Sequence, residues 1–349
     1  MEFLSDYGLF LAKTATIVIA VLVILLVAVA VSMRLKAHPG NNIEVTHLNE
    51  KYETMANTLR AAILPKKEFK RQIKEQKHKH KAERTRGADE PPPKRVYVLD
   101  FKGDIRGSAV SSLREEITAV LTTATANDEV VVRLESAGGM VHSYGLGASQ
   151  LRRIRDKGIP LTVAVDKVAA SGGYLMACVA DRILAGPFAI VGSIGVLSQI
   201  PNFHRLLKKH DVDFEQFTAG EYKRTVSMFG ETTDKAREKL QEEIQDVHLL
   251  FKDFVQTQRN QLDLEKVATG EHWHGTRAIE MNLVDEIRTS DDYLMSASDS
   301  AELYEVTFEE KKTILDKLSA FMQASLHSGR RLQFPDSGDI DAVRIHTQI

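Results

Sequence analysis

The chain has 349 residues, of which 43% are hydrophobic and 27% charged, with a formal net charge of −2 and one cysteine. These values describe a globular protein with room for two ordinary domains or one large domain with appendages. A single cysteine excludes a disulfide framework, which is compatible with either side of a membrane. The small net charge says little about partners because it hides a sharp asymmetry along the chain.

Between Lys13 and Arg34 lie twenty uncharged residues, and residues 17–31 are only Ala, Val, Ile and Leu. At 1.5 Å per residue a helix of this length spans about 30 Å, the thickness of a bilayer core. Residues 14–33 are therefore expected to be a transmembrane anchor in contact with lipid, following an N-terminal flank at 1–13. A cleaved leader with Ala28 and Ala30 near its end is the competing reading. Arg34 and Lys36, directly after the run, favour retention.

Residues 34–93 read as a juxtamembrane linker. From Lys66 to Arg86 the chain carries ten Lys or Arg against three Glu, with His78 and His80 among them, and Pro91, Pro92 and Pro93 follow. So little apolar content cannot build a core, and the prolines impose an extended stop. Apart from Phe69 no aromatic residue is interleaved with the charges, so anionic lipid headgroups fit this run better than nucleic acid. No nucleic-acid partner is expected.

From residue 94 strands and helices alternate. VYVLDF (96–101) and VVVRLES (130–136) read as strands, with an amphipathic helix at 109–125 between them. A second helix runs from about Ser143 to Arg155, and LTVAV (161–165) is a buried strand. RILAG (182–186) and FAIVGSIGV (188–196) continue the pattern, and glycines and Pro187 keep this region from being a second membrane span. A short basic helix at 202–210, a short strand at 214–217, a long helix at 233–261 opened by Thr232 or Thr233, and a turn, helix and closing strand over 272–287 complete the domain. This alternation implies βαβ units and a largely parallel sheet with its binding groups at the carboxyl ends of the strands. The domain is expected over 94–295. Residues 296–349 are expected to form a helical extension, with helical period over 303–323, and a polar tail.

Two strand ends carry the chemistry. Ala137, Gly138 and Gly139 follow one strand in a turn that exposes backbone amides. Ser171 follows another, at the start of the apolar segment YLMACVA (174–180), where free N–H groups and the helix dipole favour negative charge. Gly172 and Gly173 leave room for a second chain to approach. A plain serine cap on a core helix is the alternative. Activating a serine takes a histidine or a neutral lysine. None of the twelve histidines stands in a triad context, and His272 and His274, flanking Trp273, read as structural. There is no G-x-S-x-G, no H-E-x-x-H and no paired cysteine motif, so no metal or other cofactor is expected. Cys178 reads as core packing.

S-A-G-G at 136–139, A-S-G-G-Y at 170–174, G-S-I-G-V at 192–196 and G-E-Y-K at 220–223 resemble the signal peptide peptidase A/SohB family of membrane-anchored Ser-Lys serine proteases. The resemblance covers about residues 95–287 and implies an α/β, Clp protease/crotonase-like fold of repeated ββα/βαβ units preceded by one transmembrane helix. It assigns Ser171 as nucleophile and Lys223, 52 residues on, as general base. Ser193 would orient the lysine, and the amides of Gly139 and Gly172 would form the oxyanion hole. Ala137 departs from the family's usual proline, which affects turn rigidity and supplies no chemistry. A lysine can act as base only where apolar burial lowers its pKa from about 10.4, and Glu221 would oppose that if it faced the site.

The implied activity is endoproteolysis of signal peptides or other short, unfolded peptides through an acyl-enzyme. Tyr174, Leu175 and Met140 would line an apolar groove, and a ring-like homo-oligomer would pair Ser171 and Lys223 across subunits. The implied location is the bacterial inner membrane with the protease domain in the periplasm, although the basic run argues for the cytoplasmic side by the positive-inside rule. An inactive membrane scaffold and a crotonase-like acyl-CoA enzyme are the alternatives, and the anchor with the Ser171 and Lys223 pair argues against the latter.

Overall fold

The computed structural model describes residues 2–36, 42–84 and 93–308. Helix α1 (Glu2–Lys36) contains a 19-residue stretch, Tyr7–Leu25, long and apolar enough to cross a bilayer, and none of it is buried against protein. Strand β1 (Ile43–His47) and helices α2 (Leu48–Ile63) and α3 (Lys66–Arg84) follow. Next come β2 (Arg95–Lys102), α4 (Val110–Thr123), β3 (Glu129–Glu135), α5 (Val141–Asp156), β4 (Leu161–Val165), β5 (Val168–Ala170) and α6 (Gly172–Ala177). The chain continues through β6 (Arg182–Ala185), β7 (Ile190–Gly192), α7 (His204–Lys209), α8 (Asp234–Gln258) and α9 (Leu264–Val267). It closes with β8 (His272–His274), α10 (Gly275–Ala278), β9 (Glu286–Ile287), α11 (Ser290–Ala297) and β10 (Glu302–Phe308).

A seven-stranded sheet has the order β1-β10-β2-β3-β4-β6-β9, and a small sheet has the order β5-β7-β8. All pairings in the large sheet are parallel except β1 with β10. A strand of the large sheet is followed by a short strand of the small one, in β4–β5–α6 and again in β6–β7. This is the repeated unit that the sequence resemblance implies.

Period-two alternation sends side chains of the large sheet to opposite faces. Leu99, Val130, Val132, Leu161, Val163 and Ile183 join a core under α4, α5 and α6, while Val96, Val98, Val131, Ala164 and Leu184 join a second core with Leu48 and Leu294. Burial on both faces is why VVV and LTVAV read as continuous apolar runs.

Several expectations need correcting. The stretch read as a linker, 34–93, carries β1, α2 and α3, and β1 and Leu48 belong to the sheet and its second core. The charged run is helical and did not represent its apolar neighbours at 43–48. Residues 302–308, expected to lie in a helical extension, form β10 between β1 and β2. The sheet therefore reaches past 94–295 in both directions. No strand forms at 214–217. The apolar segment after Ser171 is helical only to Ala177, where Cys178 caps it. The tail expected after Phe308 lies outside the described residues.

Candidate active site

Strand β5 pairs in parallel with β7, Ala170 opposite Gly192, and the Ser171 N–H donates to the Gly192 carbonyl at 2.8 Å. This register puts Ser171 and Ser193 side by side at the ends of adjacent strands. Both have φ of 51°, and ψ of Ser171 is −120°. That combination lies outside the left-handed helical region open to ordinary residues and costs about 1–3 kcal/mol. Ser171 occupies the N-cap position of α6 as the sequence predicts, yet its hydroxyl makes no capping hydrogen bond. An N-cap serine ordinarily spends its oxygen on the N2 or N3 amide. Here Ser171 is half-buried and its hydroxyl has no hydrogen-bond partner among the described residues.

The turn after β3 lies against this residue. Gly138 has φ of 93°, and a Cβ there would sit 2.7 Å from the Gly172 nitrogen and 2.8 Å from Ser171 Cβ. Its own N–H donates to Ser136 Oγ at 3.0 Å. Neither the Gly139 N–H nor the Gly172 N–H has an acceptor among the described residues. Gly139 is exposed and Gly172 buried. Two amides without acceptors, one of them on the residue after Ser171, are groups an oxyanion hole would need, and such holes are the largest single contributor to acyl transfer in many serine hydrolases. Gly172 and Gly173 leave room for the chain's own neighbours and not for a substrate: a Cβ on Gly172 would meet the Tyr144 ring at 2.5 Å, and one on Gly173 would collide with the Ser136 carbonyl.

Lys223 lies in the irregular segment between α7 and α8. Its side chain is exposed and makes no hydrogen bond or ion pair among the described residues, so Ser171 and Lys223 are not hydrogen-bonded to each other. Glu221 pairs with Lys235 on α8, and that hydrogen bond holds its carboxyl below the usual range. Of the expected groove residues, Met140 is exposed, while Tyr174 is fully buried with its hydroxyl donating to the Leu283 carbonyl at 2.9 Å. Ile105 and Val141 are the further exposed apolar residues next to the glycine turn. Burial pushes the Cys178 thiol well above its ordinary value, leaving it inert core. His274 contacts the Phe188 carbonyl, and no metal-binding cluster of His, Cys, Asp or Glu occurs among the described residues.

Residues 2–151 match the model of the peptidase family S49 N-terminal region, and residues 153–304 match that of peptidase family S49. The chain belongs to peptidase family S49. It is 46% identical over 325 residues to a probable protease SohB of Haemophilus influenzae, spanning 90% of this chain and 92% of the relative. It is 47% identical over 326 residues to a probable protease SohB of Buchnera aphidicola subsp. Acyrthosiphon pisum, spanning 93% and 96%. Among solved structures, the 1510-N membrane-bound stomatin-specific protease in complex with a substrate peptide aligns at 14% identity and a TM-score of 0.40, over 67% of this chain and 100% of that one.

As an S49 peptidase the chain is a protease, which sets aside the acyl-CoA enzyme reading. Sequence reasoning for this peptidase missed the left-handed backbone of Ser193 and the part played by Ser136 beneath Gly138. The G-S-I-G text names Ser193, but only the β5–β7 register shows that it stands beside Ser171. Ser136 has a visible signal, since it is a polar residue closing an otherwise apolar strand.

Proposed function

We propose that this S49 peptidase is a membrane-anchored serine endopeptidase that cleaves signal peptides or other short, unfolded peptides with a Ser171–Lys223 dyad. Ser171 Oγ attacks the scissile carbonyl carbon and passes its proton to neutral Lys223 Nζ. The carbonyl oxygen becomes an oxyanion held by the Gly139 and Gly172 N–H groups. Lys223 returns the proton to the leaving amine as the C–N bond breaks, which leaves an ester on Ser171. Water then attacks that ester, with Lys223 again taking and returning the proton. The Ser193 hydroxyl orients the lysine. These steps call for no cofactor.

The observation that carries this reading is Ser171 itself, a non-glycine residue held at φ 51° whose hydroxyl makes no capping hydrogen bond and has no partner among the described residues. Strain of this kind persists where function requires it. Exposed Ile105, Met140 and Val141 suit an apolar peptide. Because Lys223 is solvated in one chain, the base function requires another surface to cover it, and a ring-like homo-oligomer would bring a neighbour's surface there. The segment around it exposes Leu197, Leu206, Phe217 and Tyr222, apolar area of the kind a second copy covers.

The test is hydrolysis of an apolar fluorogenic peptide against pH in detergent, for the full chain and for Ser171→Ala and Lys223→Met. Both variants are expected to lose at least about 10³-fold. Turnover equal to wild type in either one would remove the dyad. Helix α1 anchors the enzyme in the inner membrane with the protease domain periplasmic. Protease digestion of a tag fused after Gln348, in intact spheroplasts, reports the orientation, and a protected tag would reverse it.

A further inference from the structure

Beneath the glycine turn lies a chain of buried hydroxyls. Ser136 is 2% exposed and Tyr144, on α5, is fully buried. The Tyr144 hydroxyl donates to the Asp104 carbonyl oxygen at 2.7 Å and lies 2.6 Å from Ser136 Oγ. A carbonyl can only accept, so the tyrosine proton is committed there and the Ser136 hydroxyl must donate to the tyrosine oxygen. Ser136 Oγ in turn accepts the Gly138 N–H at 3.0 Å. The hydrogen bonds run one way, from Gly138 through Ser136 and Tyr144 to Asp104, an arrangement in which each bond polarises the next. Burial raises the Tyr144 hydroxyl above its ordinary pKa, so it stays a donor.

Both ends of this chain are fixed. Asp104 lies in a tight turn in which its carboxylate accepts the Ser108 N–H at 2.9 Å and the Ser108 hydroxyl at 2.8 Å. The same loop accepts the Met140 N–H on the Ile105 carbonyl at 2.8 Å. The Tyr144 ring lies directly under Gly172, close enough that only glycine fits there. Gly103 leaves the room in which Ser136 Oγ and the Tyr144 hydroxyl meet. One side chain thus supports both proposed oxyanion donors, through Ser136 and Gly138 to the Gly139 amide and through its ring to the Gly172 amide.

We infer that Tyr144 and Ser136 are positioning residues that hold the Gly139 and Gly172 amides in register for the oxyanion. This inference rests on the acyl-transfer reading of the site. Neither residue touches substrate, so their removal acts on the transition state with little effect on peptide binding.

The experiment uses the full chain in detergent with Tyr144→Phe, which keeps the ring and removes the hydroxyl, and Ser136→Ala, which stands in should the first fail to fold. In each variant kcat is expected to fall about 10-fold, a fraction of the 10²–10³ lost with a whole oxyanion donor, while KM stays within about 2-fold. Affinity for a peptide boronic acid, whose adduct with the serine is tetrahedral, should weaken by the same factor as kcat/KM. The double variant should lose little more than either single one, since both cut one chain. Unchanged kcat, or a kcat loss without matching loss of boronate affinity, would overturn the inference and leave the hydroxyls as core packing. Wild-type activity in Ser171→Ala would instead sink the acyl-transfer reading, so the two failures are distinguishable.

Discussion

The two halves of the proposed dyad sit in opposite physical settings. Ser171 stands at the meeting of the two sheets, on backbone fixed by the Gly192 carbonyl and enclosed by glycine contacts to Tyr144 and Ser136. Lys223 sits in a segment held together locally. There the Asn202 amide contacts the Ser227 and Gly230 carbonyls and Thr232 Oγ1, and Phe203, Phe214 and Phe229 form a small aromatic group. Phe217 in the same segment is 90% exposed. On the proposed reading, one chain builds the nucleophile and its oxyanion donors in full, and leaves the base for assembly to bury. Mutations at the two ends should therefore separate stability from activity.

The largest effect is expected at the rigid end. Gly172→Ala drives a methyl into the Tyr144 ring from a buried position, and overpacking of that kind costs about 1–3 kcal/mol or more. Activity should vanish and thermal unfolding in detergent should shift down together. Loss of activity at an unchanged melting temperature would show that the glycine's contact is not structural.

At the open end the two readouts should part. Lys223→Met is expected to lose at least about 10³-fold in turnover with the melting temperature unmoved, because within one chain the exposed side chain makes no hydrogen bond or ion pair among the described residues. Mixing this variant with Ser171→Ala sharpens the comparison further. If the dyad forms between neighbouring copies, two inactive chains regain activity when co-assembled, through the interfaces that join an intact serine to an intact lysine. Co-assembly without any recovery would place both residues of each dyad in one chain.

The same contrast explains what was legible in the sequence. Strands β3 and β4, the turn at Gly138 and the cap position of Ser171 announce themselves locally, through apolar runs and glycines whose meaning does not depend on distant partners. Strand β10 does not. Its residues ELYEVTF carry charges at positions that mimic a helical period, and it becomes a strand because β1 and β2, roughly 200 residues or more away, offer it two ladders. Helix α2 covers the second face of the sheet with Leu48 and Tyr52, which a strongly charged neighbourhood disguised. Phe214 and Phe217 have strand-like composition and no strand to pair with. Tyr144 falls on the apolar stripe of α5 with Ala148 and Leu151, so its ring is predictable and its hydroxyl's destination is not. The G-E-Y-K text names Lys223 but says nothing of what covers it.

The smallest predicted effect concerns a third region, where α4 meets the end of β10. Glu116 is 3% exposed, its Oε1 accepts the Phe308 N–H at 2.8 Å, and its Oε2 is buried without a partner among the described residues. Burial, with a lesser contribution from the nearby Asp100 carboxylate, raises its pKa from 4.5 to about 7. The folded value exceeds the unfolded one, so the stability this carboxyl contributes is complete below about pH 4.5 and is lost as pH rises through about 7. Glu116→Gln keeps an acceptor for Phe308 and cannot ionise. The variant should match wild type near pH 4.5 and exceed it at pH 8 by on the order of 2 kcal/mol, read from urea unfolding of the detergent-solubilised chain at each pH. The Ser171 end does not touch this contact, so peptidase activity at a fixed pH should be the same in both. Parallel stability curves for the two proteins would mean that the carboxyl is already solvated. A change in turnover would mean instead that the junction of α4 and β10 is coupled to the site.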